Sequence, residues 1–505
     1  MSAPSELFLF CLLFFFLSLA APRPSSAAHL LSSRTTSRLS SARDELQKLT
    51  SLVGAVQNSA SNDNRHLSIT SGQCLGNLRL AEDALRWSLS HGDRRTAPST
   101  GDHLSDVHSW LTAAAGYLSD CKHGLDLAGV GVRGSGIARR LHRTSSLVTS
   151  ALREVASRSA ARGGRGRRLA QGLPDWVPAA DRRLIMGTDL IKTADVVVAK
   201  DKSGKYSTLG EAVAAAPEDS ERYVIYVKKG VYKEYVEVRK SNLTIIGEGM
   251  DKTIFSGNRS NATGYGTGSS ATFTVSGQGF MAMDLAFENT AGPTAGPAVA
   301  LRSDADLSVY YRCRISGYQD TLFAAAHRQF YRECRIFGTV DYIFGNAAAV
   351  FQQCDILARL PPHGSADTIT AHSRESEDQN SGYSFQFCNV KSADKDLVAA
   401  GVDVFLGRPW RSRARVVFMQ SYLGSVIPPA GWLDWDGRGA TSYFGEYQNY
   451  GPGSRLAGRV KWTGYHILNR PADAAPFTAH RLIDGDSWLP SANVPYALGL
   501  DVTNP

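Results

Sequence analysis

Two aspartates occupy the same place in two copies of one pattern. From Tyr310 to Asn346 the chain reads YYRCRISGYQDTLFAAAHRQFYRECRIFGTVDYIFGN, and a shift of 21 residues lays Tyr310 on Tyr331, Cys313 on Cys334, Ile315 on Ile336 and Asp320 on Asp341. If the copies stack, the two carboxyls become neighbours, and two close carboxylates repel until one keeps its proton while the other ionises. One residue type then supplies both an acid and a nucleophile or base. Aspartates are common at solvated bends, but the company of these two points to chemistry. Gln319 offers an amide beside Asp320, and Tyr342 and Phe344 follow Asp341. Further on, LGRPW (406–410) adds a fixed cation, Arg408, and an indole, Trp410.

The repeat itself predicts the stacking. A period near 20 residues, with short β-branched and aromatic runs and glycines at the bends, suits one coil of a parallel β-solenoid. Equivalent residues of successive coils then lie about 4.8 Å apart. Strand patterns dominate after Ala194, over 195–199, 223–232, 243–247, 272–276 and 283–289, with a helix-like stretch at 207–216.

Taken in order, GYQDTL, GTVDYIFGN and LGRPW resemble the signature of pectin methylesterases, plant carbohydrate esterases with the right-handed parallel β-helix fold. Gly230–Glu234 (GVYKE), Ala298–Arg302 (AVALR) and the late Trp488–Pro490 extend the resemblance over about Asp195 to Leu500. The implied substrate is homogalacturonan carrying C6 methyl esters, with no cofactor. The implied roles are Asp341 as nucleophile, Asp320 as proton donor and then base, Gln319 as oxyanion donor, and Arg408 as the cation that orients Asp341. Thr267 matches a substrate-contacting threonine of that family. Trp410, Tyr342 and Phe344 are expected along the cleft, although both Tyr342 and Phe344 also suit packing inside the solenoid. One position departs: Pro297 stands where the family carries a glutamine, and proline offers neither a side-chain amide nor an N–H. If that role transfers, turnover is expected to be slower than in relatives, by on the order of 10²-fold or more.

The N-terminal third reads differently. An apolar run after Glu6, followed by small residues, is expected to be a signal peptide over 1–28 cleaved after Ala28. Residues 29–160 carry apolar positions at helical spacing in four segments, marked by Leu46–Val56, Leu75–Leu89, Val107–Leu118 and Leu141–Val155. This predicts an all-α four-helix bundle. It resembles the inhibitor-like pro-region of plant pectin methylesterases, although the usual cysteine pair of the first hairpin is missing between His29 and Gln73. Residues 161–185 are rich in Arg and Gly and read as an exposed processing linker, cut after Arg168 or, preferably, Arg183. Residues 186–505 form the expected catalytic β-helix.

Seven cysteines fall in a chain expected in an oxidising compartment. Cys11 leaves with the leader, Cys74 and Cys121 are placed to staple two helices, and Cys313, Cys334, Cys354 and Cys388 fall in the solenoid. Cys334 can reach either Cys313 or Cys354 on spacing alone; the resemblance favours Cys354. Asn242, Asn258 and Asn261 begin glycosylation sequons and are expected on exposed loops.

Acidic and basic residues nearly balance after Ile185, so the net charge of +8 belongs to the N-terminal part. With a secretory leader, the arginine runs are not read as nucleic-acid binding. No CxxC, HExxH or histidine cluster suggests a metal, and no GxSxG suggests a serine hydrolase. The expected protein is a secreted cell-wall monomer with no membrane attachment after leader removal. Its expected partners are pectin, its own pro-region, separate inhibitor proteins and a subtilisin-like processing protease. Two alternatives stand beside this: a weakly active or inactive pectin-binding or inhibitory protein, on account of Pro297, and a β-helix polygalacturonase-like glycosidase built on paired carboxylates.

Overall fold

The computed structural model describes residues 31–60, 65–90, 100–130, 135–162, 194–218, 220–362 and 366–501. The expected leader and its cleavage point after Ala28, and the processing sites Arg168 and Arg183, lie outside the described residues.

Four helices come first: α1 (Ser33–Ser59), α2 (Arg65–Leu89), α3 (His103–Leu127) and α4 (Gly136–Arg162). The predicted apolar positions become their buried faces, with Leu46, Leu78, Leu85, Leu111, Leu118 and Leu152 at 0 or 1% exposure in one shared core. A helix of this length is marginal alone in water, so the shared apolar stripe holds the four together. Caps are local: Ser32 accepts from the Thr35 N–H, and Asp102 from those of Leu104 and Ser105. As expected, Cys74 of α2 and Cys121 of α3 are joined, closing a sequence separation of 47.

From Val196 onward the chain winds a right-handed parallel β-helix. Each coil adds one strand to each of three parallel sheets, which hold eleven, seven and eight strands among the described residues. The shift read in the sequence is the register of the fold: Tyr310 pairs with Tyr331, Arg314 with Arg335 and Ile315 with Ile336. Inside, aromatic rings stack coil on coil, Tyr310 on Tyr331 at 4.7 Å, Tyr331 on Phe351 at 4.6 Å and Phe351 on Phe385 at 4.5 Å. Such pairs add about 0.5–1.5 kcal/mol each beyond the area they bury.

The cysteine expectation in the solenoid needs correction. Cys313, Cys334, Cys354 and Cys388 are free, buried thiols. They stack in successive coils, the Arg335, Asp355 and Asn389 N–H groups each bonding to the carbonyl of the cysteine one coil before. The Cys334 Sγ donates to the Tyr310 carbonyl at 3.3 Å and the Cys354 Sγ to that of Tyr331 at 3.5 Å. In-register neighbours in a parallel sheet point their Cβ bonds the same way about 4.8 Å apart, whereas a disulfide brings Cβ atoms to about 3.8 Å with the S–S dihedral near 90°. Of the three sequons, Asn258 and Asn261 are exposed as expected, but Asn242 is half-buried in a turn, its amide donating to the Ser220 carbonyl at 3.3 Å.

The helical bundle lies on the solenoid, with α2 and α3 against it. Trp110 Nε1 of α3 donates to Asp306 at 3.0 Å, and His108 Nε2 lies 2.7 Å from the Asp378 carbonyl. Trp87 and Tyr117 pack their rings at 6.1 and 6.3 Å from the ring of His327.

Candidate active site

The site lies on the seven-stranded sheet, whose strands Leu301–Ser303, Leu322–Ala324, Val340–Gly345, Asp367–His372 and Val404–Pro409 succeed one another coil by coil. Asp320 and Asp341 stand just before or at the start of two neighbouring strands, both in the left-handed region, φ +59° and +50°. That conformation costs a non-glycine residue free energy. Arg312, Glu333 and Gln353 adopt it too, at an earlier turn of successive coils, so here it is a repeating feature of the solenoid that the aspartates share.

After Asp341 the pairing with the next strand is irregular between Val340 and Ile343. Strict alternation is lost there, and Tyr342 and Ile343 both enter the solenoid core at 0% exposure. Tyr342 is therefore a core residue, and its expected place on the cleft is corrected. Phe344 emerges on the outer face and stacks on Phe323 at 4.4 Å.

Arg408 holds Asp341 in a two-pronged grip, Nε to Oδ1 at 2.8 Å and Nη2 to Oδ2 at 2.6 Å. Such paired charge-assisted bonds fix both direction and plane. Two residues that the sequence reading did not single out complete the frame. The Thr368 hydroxyl donates to Asp341 Oδ1 at 2.7 Å and accepts from the Asp341 N–H at 2.9 Å. The Trp435 ring lies under the Arg408 guanidinium, 4.0 Å from its centroid, a cation–π contact that steadies the cation. Thr368 sits across the ladder from Val340, a register visible only once the coil after the two matched copies is aligned.

Asp320 has a different environment. Burial pushes its carboxyl well above the ordinary carboxylate range, Asp341 beside it adds to the effect, and Arg408 offsets only part. Among the described residues its side chain has no hydrogen-bond partner, nor has the Gln319 amide. Together with Thr267, Phe344, Arg408, Trp410 and Trp435 they line one cavity of about 490 Å³, roofed by side chains of α2 and α3. Pro297 lies outside that lining; its carbonyl accepts from the Asn261 N–H at 2.9 Å.

A pair of carboxyls, one clamped by a guanidinium and one pushed toward its acid form, beside a free amide in an aromatic-lined groove, is equipped for acyl transfer. The comparisons with known proteins agree. Residues 195–486 match the pectinesterase family, and residues 14–157 match the plant invertase/pectin methylesterase inhibitor family. The chain belongs to the pectinesterase family. A pectinesterase/pectinesterase inhibitor of Prunus persica is 44% identical over 463 residues, covering 90% of this chain and 87% of that one. Pectinesterase 1 of Solanum lycopersicum is 50% identical over 336 residues, 65% of this chain and 61% of its own. Among solved structures, the carrot pectin methylesterase superposes with a TM-score of 0.60 at 46% identity, covering 61% of this chain and 98% of that one. This pectinesterase is thus a carboxylic ester hydrolase acting on the methyl esters of pectin, with an inhibitor-like helical domain in front. The glycosidase and inactive-protein readings gain no support from these relatives.

Proposed function

We propose that the ester is cleaved in two half-reactions by the aspartate pair. Asp341 attacks the C6 carbonyl, the tetrahedral oxyanion is met by the Gln319 amide, and the C–O bond to methoxide breaks as Asp320 hands over its proton. Methanol leaves, and the galacturonosyl carboxyl is held as an anhydride with Asp341. Asp320, now a base, takes a proton from water as the water attacks that acyl carbon. Carboxylate product and free Asp341 separate, and Asp320 is again protonated. Trp410, Phe344 and Thr267 contact the sugar chain.

The observation carrying this reading is the division of labour between the two carboxyls, Asp341 gripped by Arg408 and Thr368 and Asp320 unpaired and pushed toward its acid form. Methanol release by Asp341→Asn and Asp320→Asn variants tests it. Both are expected to be inactive on pectin while keeping the wild-type fold, and near wild-type turnover by either removes that residue from its role.

The domain plan follows the same reading: a leader over 1–28, a helical pro-region over 29–160, a linker over 161–185 cut by a subtilisin-like protease after Arg183 or Arg168, and an enzyme over 186–505 delivered to the cell wall. The roof of α2 and α3 over the cavity supports a pro-region that restrains its own enzyme until the linker is cut. Once that roof is gone, the same face is available to separate inhibitor proteins.

A further inference from the structure

Each aspartate of the pair follows a glycine by three residues, Gly317 before Asp320 and Gly338 before Asp341, and the shift of 21 that lays one aspartate on the other lays these glycines together. One residue bonds both of their carbonyls. Arg359, the first residue after the strand Asp355–Ala358, gives its backbone N–H to the Gly338 carbonyl at 2.8 Å and its Nη1 to the Gly317 carbonyl at 2.9 Å. Nη2 of the same guanidinium donates to the Ser316 hydroxyl at 3.2 Å. The backbone bond is the ordinary link between adjacent coils. The side-chain bonds reach one coil further, to the turn that carries Gln319 and Asp320.

That reach answers a departure in the ladder. Thr339 is the counterpart of Arg359 one coil earlier, yet its N–H goes to the Tyr318 carbonyl at 3.1 Å rather than to Gly317. The Gly317 carbonyl receives Arg359 instead. The guanidinium is itself held, with the Tyr318 and Phe337 rings 5.0 and 5.1 Å from it, contacts that steady a cation. Arg314 and Arg335, on the two preceding coils, end on the carboxylates of Glu288 and Asp251, each at 3.3 Å. Arg359 forms no ion pair among the described residues, and burial pushes its pKa below the ordinary arginine value. A half-buried cation spent on a carbonyl and a hydroxyl balances no charge. Its planar fork fixes direction.

Arg359 stands outside the lining of the cavity, so its effect must pass through the turn it holds. We propose that Arg359 is a positioning residue for ester cleavage: by tying the Gly317 and Gly338 carbonyls together, it sets the Gln319 amide and the Asp320 carboxyl against Asp341. This rests on the reading of Asp320 and Asp341 as the catalytic pair. A reacting group misplaced by about 1 Å loses on the order of a hundredfold in rate, with the substrate contacts intact.

The test measures methanol release from highly methylated pectin by residues 186–505, a part whose core is separate from that of the helices and which matches 98% of the carrot structure. Arg359→Ala is expected to lower kcat by about thirty- to a hundredfold, with KM within about twofold of wild type. Arg359→Lys keeps the charge and the stem but not the fork, and should recover only part of that loss; it carries the test if the alanine variant does not fold. The pH profile separates position from charge. Arg359 is not among the charges that shift Asp320, so the alkaline limb of kcat/KM should stay in place in both variants. Two double variants localise the effect. With Gln319→Ala the losses should fall short of multiplying by about threefold or more, since both changes act on one turn, whereas with Thr368→Val, in the frame of Asp341, they should multiply within about twofold.

An unchanged kcat in Arg359→Ala would overturn the proposal, as would a change confined to KM, full recovery by lysine, or a displaced alkaline limb. Losses that multiply equally with Gln319→Ala and Thr368→Val would also overturn it, since a merely structural role acts on both alike. Asp320→Asn separates the two layers of the argument. Near wild-type turnover by Asp320→Asn contradicts the catalytic reading, whereas an inactive Asp320→Asn beside an unaffected Arg359→Ala contradicts only the clamp.

Discussion

At the domain interface Arg328 is completely buried, and the charges around it are closely answered. Its guanidinium bonds Asp306 at 2.6 and 2.9 Å and Asp106 of α3 at 2.9 Å, with Asp484 at 3.4 Å. Asp306 also takes the Trp110 indole, and Asp106 the Thr100 hydroxyl and N–H. Burial pushes the Asp306 carboxyl up, but Arg328 outweighs it and holds it below the ordinary range. In the cleft, Arg408 grips Asp341 with the same fork, yet its side chain is 23% exposed and its second carboxylic neighbour, Asp320, goes unpaired and is pushed toward its acid form. The two clusters use the same side chains. The one whose carboxylates are all bonded serves to hold two domains together; the one that keeps an unanswered carboxyl beside open space can react.

The largest effect that would break this comparison concerns the reactive cluster. Asp341→Asn should lower methanol release from pectin by about four orders of magnitude, the loss usual for a nucleophile within a catalytic unit, with an unchanged circular dichroism spectrum. A fall of only about tenfold would place the chemistry elsewhere. The second effect separates the two domains. Replacing both Cys74 and Cys121 by serine should destabilise the helical bundle by about 4 kcal/mol through the loop it reopens, seen by calorimetry of the full chain, while the solenoid transition stays in place. A matching loss in the solenoid would mean that the two domains unfold as one.

The third sharpens the frame around Asp341. Thr368→Val removes one bond to a charged carboxylate, worth about 1.5–3 kcal/mol, and should lower kcat by about ten- to a hundredfold with little change in KM. A change confined to KM would make Thr368 a substrate contact. The smallest is a displacement along the pH axis. In the proposed mechanism methanol departure needs protonated Asp320, so acylation is lost as pH rises through the Asp320 pKa. Because that pKa is raised, the alkaline limb of kcat/KM should lie well above the ordinary carboxylate value of about 4. A limb near that value would show that Asp320 is not shifted in the working enzyme.

The self-match at a shift of 21 residues was enough to read the coil, the pairing of Tyr310 with Tyr331 and the meeting of Asp320 with Asp341, because a solenoid repeats its register and equivalent residues must stack. Arg408 and Trp410 were legible from their motif. Thr368 and Trp435 were not, since they lie on coils whose lengths break the period. Tyr342 was misplaced for a related reason: the irregular pairing after Val340 turns two successive side chains inward, which an alternating pattern cannot foresee. The Cys334–Cys354 pairing that the resemblance favoured is absent, because stacked cysteines point their Cβ bonds the same way, a direction that spacing does not report. Docking was invisible, as Arg328 and Asp106 stand 222 residues apart and neither carries a local pattern.

On the proposed mechanism one cluster reacts while the other holds the roof in place. Methanol release from highly methylated pectin by the uncleaved full chain, compared with its Asp106→Asn variant, tests this most directly. Asp106→Asn takes one charge from the interface and none from the cleft, so pectin turnover should rise, by about tenfold or more if the lost bond to Arg328 is worth about 2 kcal/mol. Unchanged or lower turnover, with the helices still folded, would contradict the claim.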